Sequence, residues 1–329
     1  MEMKPATQIP ITLNQKGEEL PPPETPWQES LRLYKKDRLA VMGAYVLGLL
    51  LITAFLGKAL TEWVVVFDPE VVRLPEKFLP PLSVSSAPEI PVEDRPVGGM
   101  YLLGTDELGR DVFARMLQGS FVSLSIGFIA VGISVVIGIA LGGLSGFYGN
   151  VKLGMITVDT LIMRFTDVML CFPTFFLILT VVALLPPSIY NIMVVIGLTS
   201  WMGTARFVRA EFLSLRKQDF VVAATSIGVP ERRVIFRHMV PNAIAPVLVS
   251  ATIGVATAIL TESALSFLGF GVQPPYATWG NILADGKGFI FDAPWLFFIP
   301  GLAILIVVLA FNLVGEGLRE ALNPKLRRR

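Results

Sequence analysis

Apolar residues run through this chain in long blocks broken by short polar stretches, not in the alternation of half-buried strands. The runs 116–151 and 168–205 carry no charged residue at all. A hydrocarbon layer about 30 Å thick takes roughly 20 residues of helix to cross, so the pattern predicts spans at 39–60, 123–148, 164–185, 192–209, 244–269 and 295–315. An even number of crossings leaves both ends of the chain on one side. Residues 1–24 are polar and proline-rich and read as an unstructured tail. Thr25-Pro26-Trp27-Gln28 then offers a cap and a first-turn proline, and Trp27, Leu31 and Tyr34 share a face, so 25–38 is expected to lie along the membrane surface. The span 39–60 acts as an uncleaved anchor. Between it and the next span, 61–122 reads as an irregular insert, with a short hairpin suggested by Val64 to Phe67 and Val71-Val72, followed by a rim helix starting at Thr105-Asp106-Glu107. Trp279 and Trp295 suit an interfacial aromatic belt.

Composition agrees: 53% hydrophobic and 16% charged residues describe a polytopic membrane protein. Orientation follows from the basic residues. If both ends are cytoplasmic, all but seven of the 27 Lys and Arg fall on the inner side; the seven are Lys58, Arg73, Lys77, Arg95, Arg110, Arg115 and Lys287. The basic residues thus record topology, and a net charge of +1 points to no nucleic-acid partner. Cys171 is the single cysteine and His238 the single histidine, which excludes a disulfide framework, a histidine-based metal centre and a Ser-His-Asp triad. The stretch GNILADGKG at 280–288 lacks the second glycine and the hydroxyl residue of a phosphate loop. No cofactor is expected on this chain.

The most informative polar stretch is 219–242. Ala223 and Ala224 give a short helix a small-residue face, Gly228 can end that helix at positive φ, Pro230 opens a second short helix, and Pro241 stands before the next apolar run. Arg232, Arg233 and Arg237 add positive charge around it. Two short helices meeting at an angle, with little bulk at their surface, suit docking into another protein. An ordinary amphipathic interfacial loop would share much of this pattern.

The spacing Ala-Ala-x3-Gly-x12-Pro resembles the cytoplasmic coupling loop of ABC importer permeases, and HMVPN at 238–242 resembles the variant found in the dipeptide, oligopeptide and nickel branch. The motif usually begins with Glu, where this chain has Val222. Further blocks resemble that branch in order: GTDELGRDVFARMLQGS, SGFYGNVKLGMITVDTLIMRFTDVML, ARFVRAEFLSLRKQDFV, ESALSFLGFGVQPPYATWG, APW and FNLVGEGLREALNPKL. They cover most of 104–326, while the first 100 residues carry little of the resemblance. It implies an all-α, type I ABC importer permease fold of about six transmembrane helices, in a prokaryotic inner membrane. The implied partners are a second homologous permease, two ATPase subunits that bind ATP and Mg, and an extracytoplasmic substrate-binding protein. Ala223, Ala224, Gly228, Pro230, Arg232, His238 and Pro241 would face the ATPase. Thr105, Asp106, Arg110, Asp111 and Trp279 would meet the binding protein. The permease core is then 123–316, with 317–329 a basic cytoplasmic tail.

Charges inside apolar runs must face protein or water, because a carboxylate at mid-membrane costs about 2.5 to 3.5 kcal/mol. Arg164 and Asp167 are three apart on a helix and Asp159 lies one or two turns earlier, which suggests an ion-pair cluster at the membrane edge, and all three are candidates for a pore or gate. Glu262 is the deepest isolated acid; it either faces the pore or a gate, or partners an Arg or a backbone group at a subunit interface. The rival class is an ion-gradient-driven transporter or channel. Its marks would be several mid-membrane ionisable groups and inverted repeats, and the sequence offers one isolated acid and no repeat.

Overall fold

The computed structural model describes residues 26–322; the expected tail 1–24, a cap at Thr25, the face of Trp27 and the basic residues beyond 322 lie outside the described residues. Among the described residues, four helices are long and apolar enough to cross a membrane, and six spans result if each of two bent pairs counts as one. Helix α1 (Pro26–Lys36) leads into α2 (Arg38–Lys58) through Asp37, whose carboxylate accepts the Leu39 and Ala40 N–H groups and so caps α2. The last turn of α2 widens into a π-helical stretch, Ala59–Trp63.

Helix α3 (Val112–Tyr148) is one piece of 37 residues. It absorbs both the rim helix expected from Thr105 and the span expected from 123. The cause lies in Asp106, whose carboxylate accepts the N–H groups of Leu108 and Arg110 and holds 105–110 as a turn. The helix start falls to the next acid, Asp111, which caps α3 through the Phe113 N–H at 2.8 Å. A tight hairpin, β3 (Lys152–Leu153) with β4 (Ile156–Thr157), then leads to α4 (Val158–Cys171) and α5 (Thr174–Leu184).

These two helices replace the single span expected at 164–185, and they meet at 83°. Pro173 disfavours helical geometry at the residue before it, and Phe172 is extended at φ −82°, ψ 130°. Helix α6 (Ile189–Leu198) continues into α7 (Trp201–Leu215) with a milder bend of 40°. After α8 (Asp219–Ser226), a single turn α9 (Glu231–Arg233), a π-helical stretch Val234–Met239 and α10 (Val240–Phe267) form one helix of 37 residues, so the fifth span starts well before the expected 244. Helices α11 (Trp279–Gly286) and α12 (Trp295–Ala321) complete the described residues.

Close backbone approach holds the bundle together. Gly138, Gly142 and Gly146 recur every four residues on α3, so they share a face, and α7 packs directly onto it. A Cβ at these positions would lie 2.6 Å from the Thr204 side chain, 2.3 Å from the Ala205 carbonyl oxygen and 2.5 Å from Phe212 Cβ. Gly43 on α2 similarly admits Leu313 of α12, where a Cβ would meet Leu313 Cβ at 2.9 Å.

The insert packs at the end of the bundle where α3 begins. It has no hairpin at Val64 to Phe67 or Val71-Val72; its one two-stranded ladder among the described residues is β1 (Ser83–Val84) against β2 (Met100–Tyr101), with a single bridge between Thr105 and Asp111. Buried Glu76 organises it instead, accepting Ser86 N–H at 2.8 Å, Ala87 N–H at 3.0 Å, Ser85 Oγ at 2.9 Å and Tyr101 Oη at 2.5 Å. Burial pushes the Glu76 carboxyl up, but these donors outweigh it and hold the group below its ordinary 4.5. Because the folded value is depressed, the stabilisation is complete above 4.5 and drains away as pH falls through the lower folded value. Hydrogen exchange should therefore show steady protection of 76–101 from pH 7 to about pH 5 and loss at lower pH. Glu76→Gln should remove that pH dependence and cost about 1.5 to 3 kcal/mol; unchanged protection in the variant would show that the insert is held by other contacts.

Candidate functional site

Segment 219–242 folds as its residue types require. Helix α8 ends in a Schellman motif: Gly228 takes φ 79°, its N–H bonds the Thr225 carbonyl at 3.1 Å, and the Val229 N–H reaches back to the Ala224 carbonyl at 3.0 Å. Pro230, at φ −60°, then starts the next helix by accepting from the N–H groups of Arg233 and Val234. Pro241 has no N–H to give in the turn that follows, and the Asn242 side-chain amide donates to the His238 carbonyl at 2.5 Å. The π-helical stretch sits directly before this proline.

One face of the segment packs on the bundle. Val221, Ala224, Val234 and Met239 join Phe147, Val208 and Phe212 in one apolar cluster, and Tyr148 Oη donates to Glu231 at 2.9 Å. Arg216 donates to the Phe147 carbonyl at 3.0 Å, closing a polar cavity of about 420 Å³ between α3 and α8. The other face is bare. Ala223 is exposed, and around it stand Phe220, Val222, Ile227 (80% exposed) and Phe236 (72% exposed). The two expected contact alanines therefore divide: Ala223 points outward and Ala224, buried at 8%, packs against the chain's own core. Arg232, Pro230, Gly228 and Pro241 are exposed on the same segment, and His238 is half-buried.

The charged residues of the spans pair across helices, not along one. Asp159 takes a two-pronged pair from Arg209, Nε to Oδ1 at 2.5 Å and Nη2 to Oδ2 at 2.6 Å, and also accepts from Ser145 Oγ. Asp167 pairs with Arg206 at 2.5 Å. Arg164 is exposed and joins neither pair, so the expected cluster of Asp159, Arg164 and Asp167 along α4 is replaced by two clasps between α4 and α7. Side chains three apart on a helix can meet, but each carboxylate here finds a guanidinium on the packed neighbour.

Glu262 is fully buried within the chain, which removes it from any pore surface in this conformation. Its Oε1 accepts Ser266 Oγ at 2.7 Å and Thr278 Oγ1 at 3.0 Å, so it fastens the start of α11 to α10. Thr278 also forms a reciprocal cap with Asn281. Gly280 permits this fit, since a Cβ there would lie 2.7 Å from Ser263 Cα and 3.2 Å from Glu262 Oε2. Gln118, buried and unremarked in the sequence, holds the same loop through the Ala277 N–H at 2.9 Å.

Four of the five residues expected to touch a binding protein are interior. Thr105 donates to the Glu76 carbonyl at 2.6 Å, Asp106 pairs with Arg115 at 2.6 Å and Arg110 at 2.7 Å, and Asp111 is the cap of α3. Trp279 is buried, with Nε1 donating to the Met116 carbonyl at 3.3 Å, so it does not face an interface belt; Trp295 is half-buried and its Nε1 donates to the Thr105 carbonyl at 3.1 Å. Arg110 alone is partly open, and its guanidinium also faces Asp285 at 3.6 Å. Among the described residues no group of histidine, cysteine and acidic side chains could hold a metal ion.

Comparison with known proteins bears on most of the chain. Residues 134–328 match the binding-protein-dependent transport system inner membrane component family. Residues 25–81 match the N-terminal TM domain of oligopeptide transport permease C, so the first 100 residues carry more family signal than their motifs suggest. The dipeptide transport system permease protein DppC of Alkalihalophilus pseudofirmus is 39% identical over 93% of this chain and 94% of that protein. The oligopeptide transport system permease protein OppC of Bacillus subtilis is 33% identical over 92% of this chain and 90% of that protein. An inward-facing structure of the MetNI methionine ABC transporter overlaps at a TM-score of 0.51 with 17% identity, covering 64% of this chain and 97% of that one, which bears on the fold alone.

Proposed function

Because the chain belongs to the binding-protein-dependent transport system inner membrane component family, we propose that it is a peptide-importing permease subunit whose segment 219–242 docks on an ATPase. The observation that carries this reading is the bare apolar surface around Ala223, on a segment that is otherwise tightly fastened to the bundle. A fastened segment with an open face transmits force; a loosely attached one would absorb it. Di- and oligopeptides are the proposed cargo, in keeping with the relatives' names. The complete machine would hold a second permease, two ATPase subunits that hydrolyse ATP with Mg, and a binding protein on the outer face. Both termini and segment 219–242 are assigned to the cytoplasm and the insert to the outer side, on the distribution of basic residues.

Movement of the ATPase pair would shift 219–242, and the unbroken helix from Glu231 would carry that shift into the bundle. The test is affinity purification of the chain from its native membrane with Ala223→Cys in a Cys171→Ser background, followed by crosslinking. Capture of an ATPase through position 223 is the expected result. Isolation free of any ATPase would discard the reading and bring forward the gradient-driven transporter.

A further inference from the structure

Segment 216–242 carries five bases, Arg216, Lys217, Arg232, Arg233 and Arg237, against two acids, Asp219 and Glu231. All five bases are exposed, and among the described residues none of them forms an ion pair. Both acids are already engaged. Asp219 stands in the first turn of α8, against the positive end of the helix dipole, and Glu231 accepts the Tyr148 hydroxyl at 2.9 Å.

The excess charge and the bare apolar surface belong to one unit. Helix α8 packs through Val221 and Ala224 against Val234 and Met239, on the stretch of helix that carries Arg237 and exposed Phe236. Arg233 precedes Arg237 by about one turn. Topology accounts for bases on this side of the membrane, but not for five of them left without an acid beside Phe220, Val222, Ile227 and Phe236. The sequence of the segment points the same way. Where the motif usually begins with Glu, this chain exposes Val222. An acid at that position would call for a cation on the partner; a valine calls for none.

We infer that the ATPase groove receiving 219–242 has an apolar floor and an acidic rim, and that Arg233 and Arg237 meet the rim. This rests on the docking reading and adds to it the chemistry by which the partner is chosen. Docking strips water from what it covers, and a guanidinium covered with no acid opposite it works against binding. Apolar side chains take the centre of such a contact and charges its edge, where some water stays. Exposed Ala223 then lies over the floor, and an ATPase whose groove has a basic rim is refused.

The test uses the assembled importer, purified with its ATPase and reconstituted in phosphatidylcholine vesicles with and without phosphatidylglycerol. ATPase retained per permease is read by mass spectrometry after washes from about 0.1 to about 1 M NaCl, over which the screening length falls from about 10 to about 3 Å. Retention by the unaltered chain should drop about fivefold across that range. Arg233→Glu and Arg237→Glu should each weaken retention about tenfold at the low end and far less at the high end. Both positions are exposed and outside the apolar cluster beneath α8, so the amount of chain in the vesicles should hold. Val222→Glu should weaken retention too; stronger retention would mean that the groove presents a cation, and would overturn the inference. Retention indifferent to salt and to both reversals would overturn it as well, and uptake that then falls without phosphatidylglycerol would assign the bases to the lipid surface. The two readings fail separately: an unaltered chain that keeps no ATPase at any salt removes the docking reading and this one with it, whereas firm retention without the salt dependence removes only the acidic rim.

Discussion

Ala223→Arg is expected to abolish ATP-driven uptake while the chain still accumulates in the membrane at its normal level. Ala223 is exposed on α8 and lies outside the apolar cluster beneath that helix, so the bundle itself does not register the longer side chain. At an interface, the same side chain forces a guanidinium against a surface shaped for a methyl group. An unpaired charge trapped at such a contact costs about 3 to 5 kcal/mol, which is roughly a hundredfold or more in affinity. Ala224→Arg supplies the contrast. Ala224 is packed with Val221, Val234 and Phe212, so there the charge should destroy the fold of the segment and remove the chain from the membrane. Uptake into vesicles, read beside the amount of chain by immunoblot, separates the outcomes; undiminished uptake with Ala223→Arg would mean that the exposed face touches nothing.

Gly142→Leu should lose the protein altogether. The new Cβ alone would sit 2.3 Å from the carbonyl oxygen of Ala205, and that neighbour is helix backbone, unable to swing aside. Helices α3 and α7 would have to separate, and Gly138 and Gly146 would lose their close contacts with them. Overpacking that displaces a backbone belongs to the class of changes that exceed about 4 kcal/mol. Gly132→Leu is the control on the same helix, since nothing lies within 4 Å of a Cβ built there. Expression level and thermal midpoint in detergent should collapse for the first variant and hold for the second; equal behaviour would show that α3 and α7 pack by some other means.

Much of this architecture is legible from composition alone, because a membrane translates apolar run length directly into span number. The expected positions 39–60 and 295–315 fall within helical segments that the structure extends only slightly. Segment 219–242 is legible for a different reason: Gly228 and Pro230 each fix a backbone geometry by themselves, and both behave accordingly. Direction is what the sequence hides. Hydropathy averaged over 164–185 reports a single apolar run, and an average carries no direction, so the 83° turn at Pro173 leaves no trace in it. It also cannot tell Ala223 from Ala224, which are neighbours on opposite sides of a helix surface. Asp159 and Asp167 find their arginines 50 and 39 residues away, beyond any local spacing rule. Thr105, Asp106 and Trp279 look like surface chemistry in a loop until the insert and α11 are seen to close over them.

The helix from Glu231 to Phe267 has ends of opposite character. One carries exposed Phe236, and the other carries Glu262, latched to Thr278 and through it to α11. The 26 helical steps from Phe236 to Glu262 make a rod of roughly 40 Å. A tilt of about 5° at the Phe236 end would swing the Glu262 end by roughly 3 Å, enough to break a hydrogen bond of ordinary length. The rod is not uniformly stiff: its π-helical stretch at Val234–Met239 and Pro246 within α10 are points of give, both in the half nearer Phe236. A lever with its compliance near the handle filters small jostling and passes on large strokes, so the Glu262 latch would feel full ATPase closure far more than thermal rocking of the docked face.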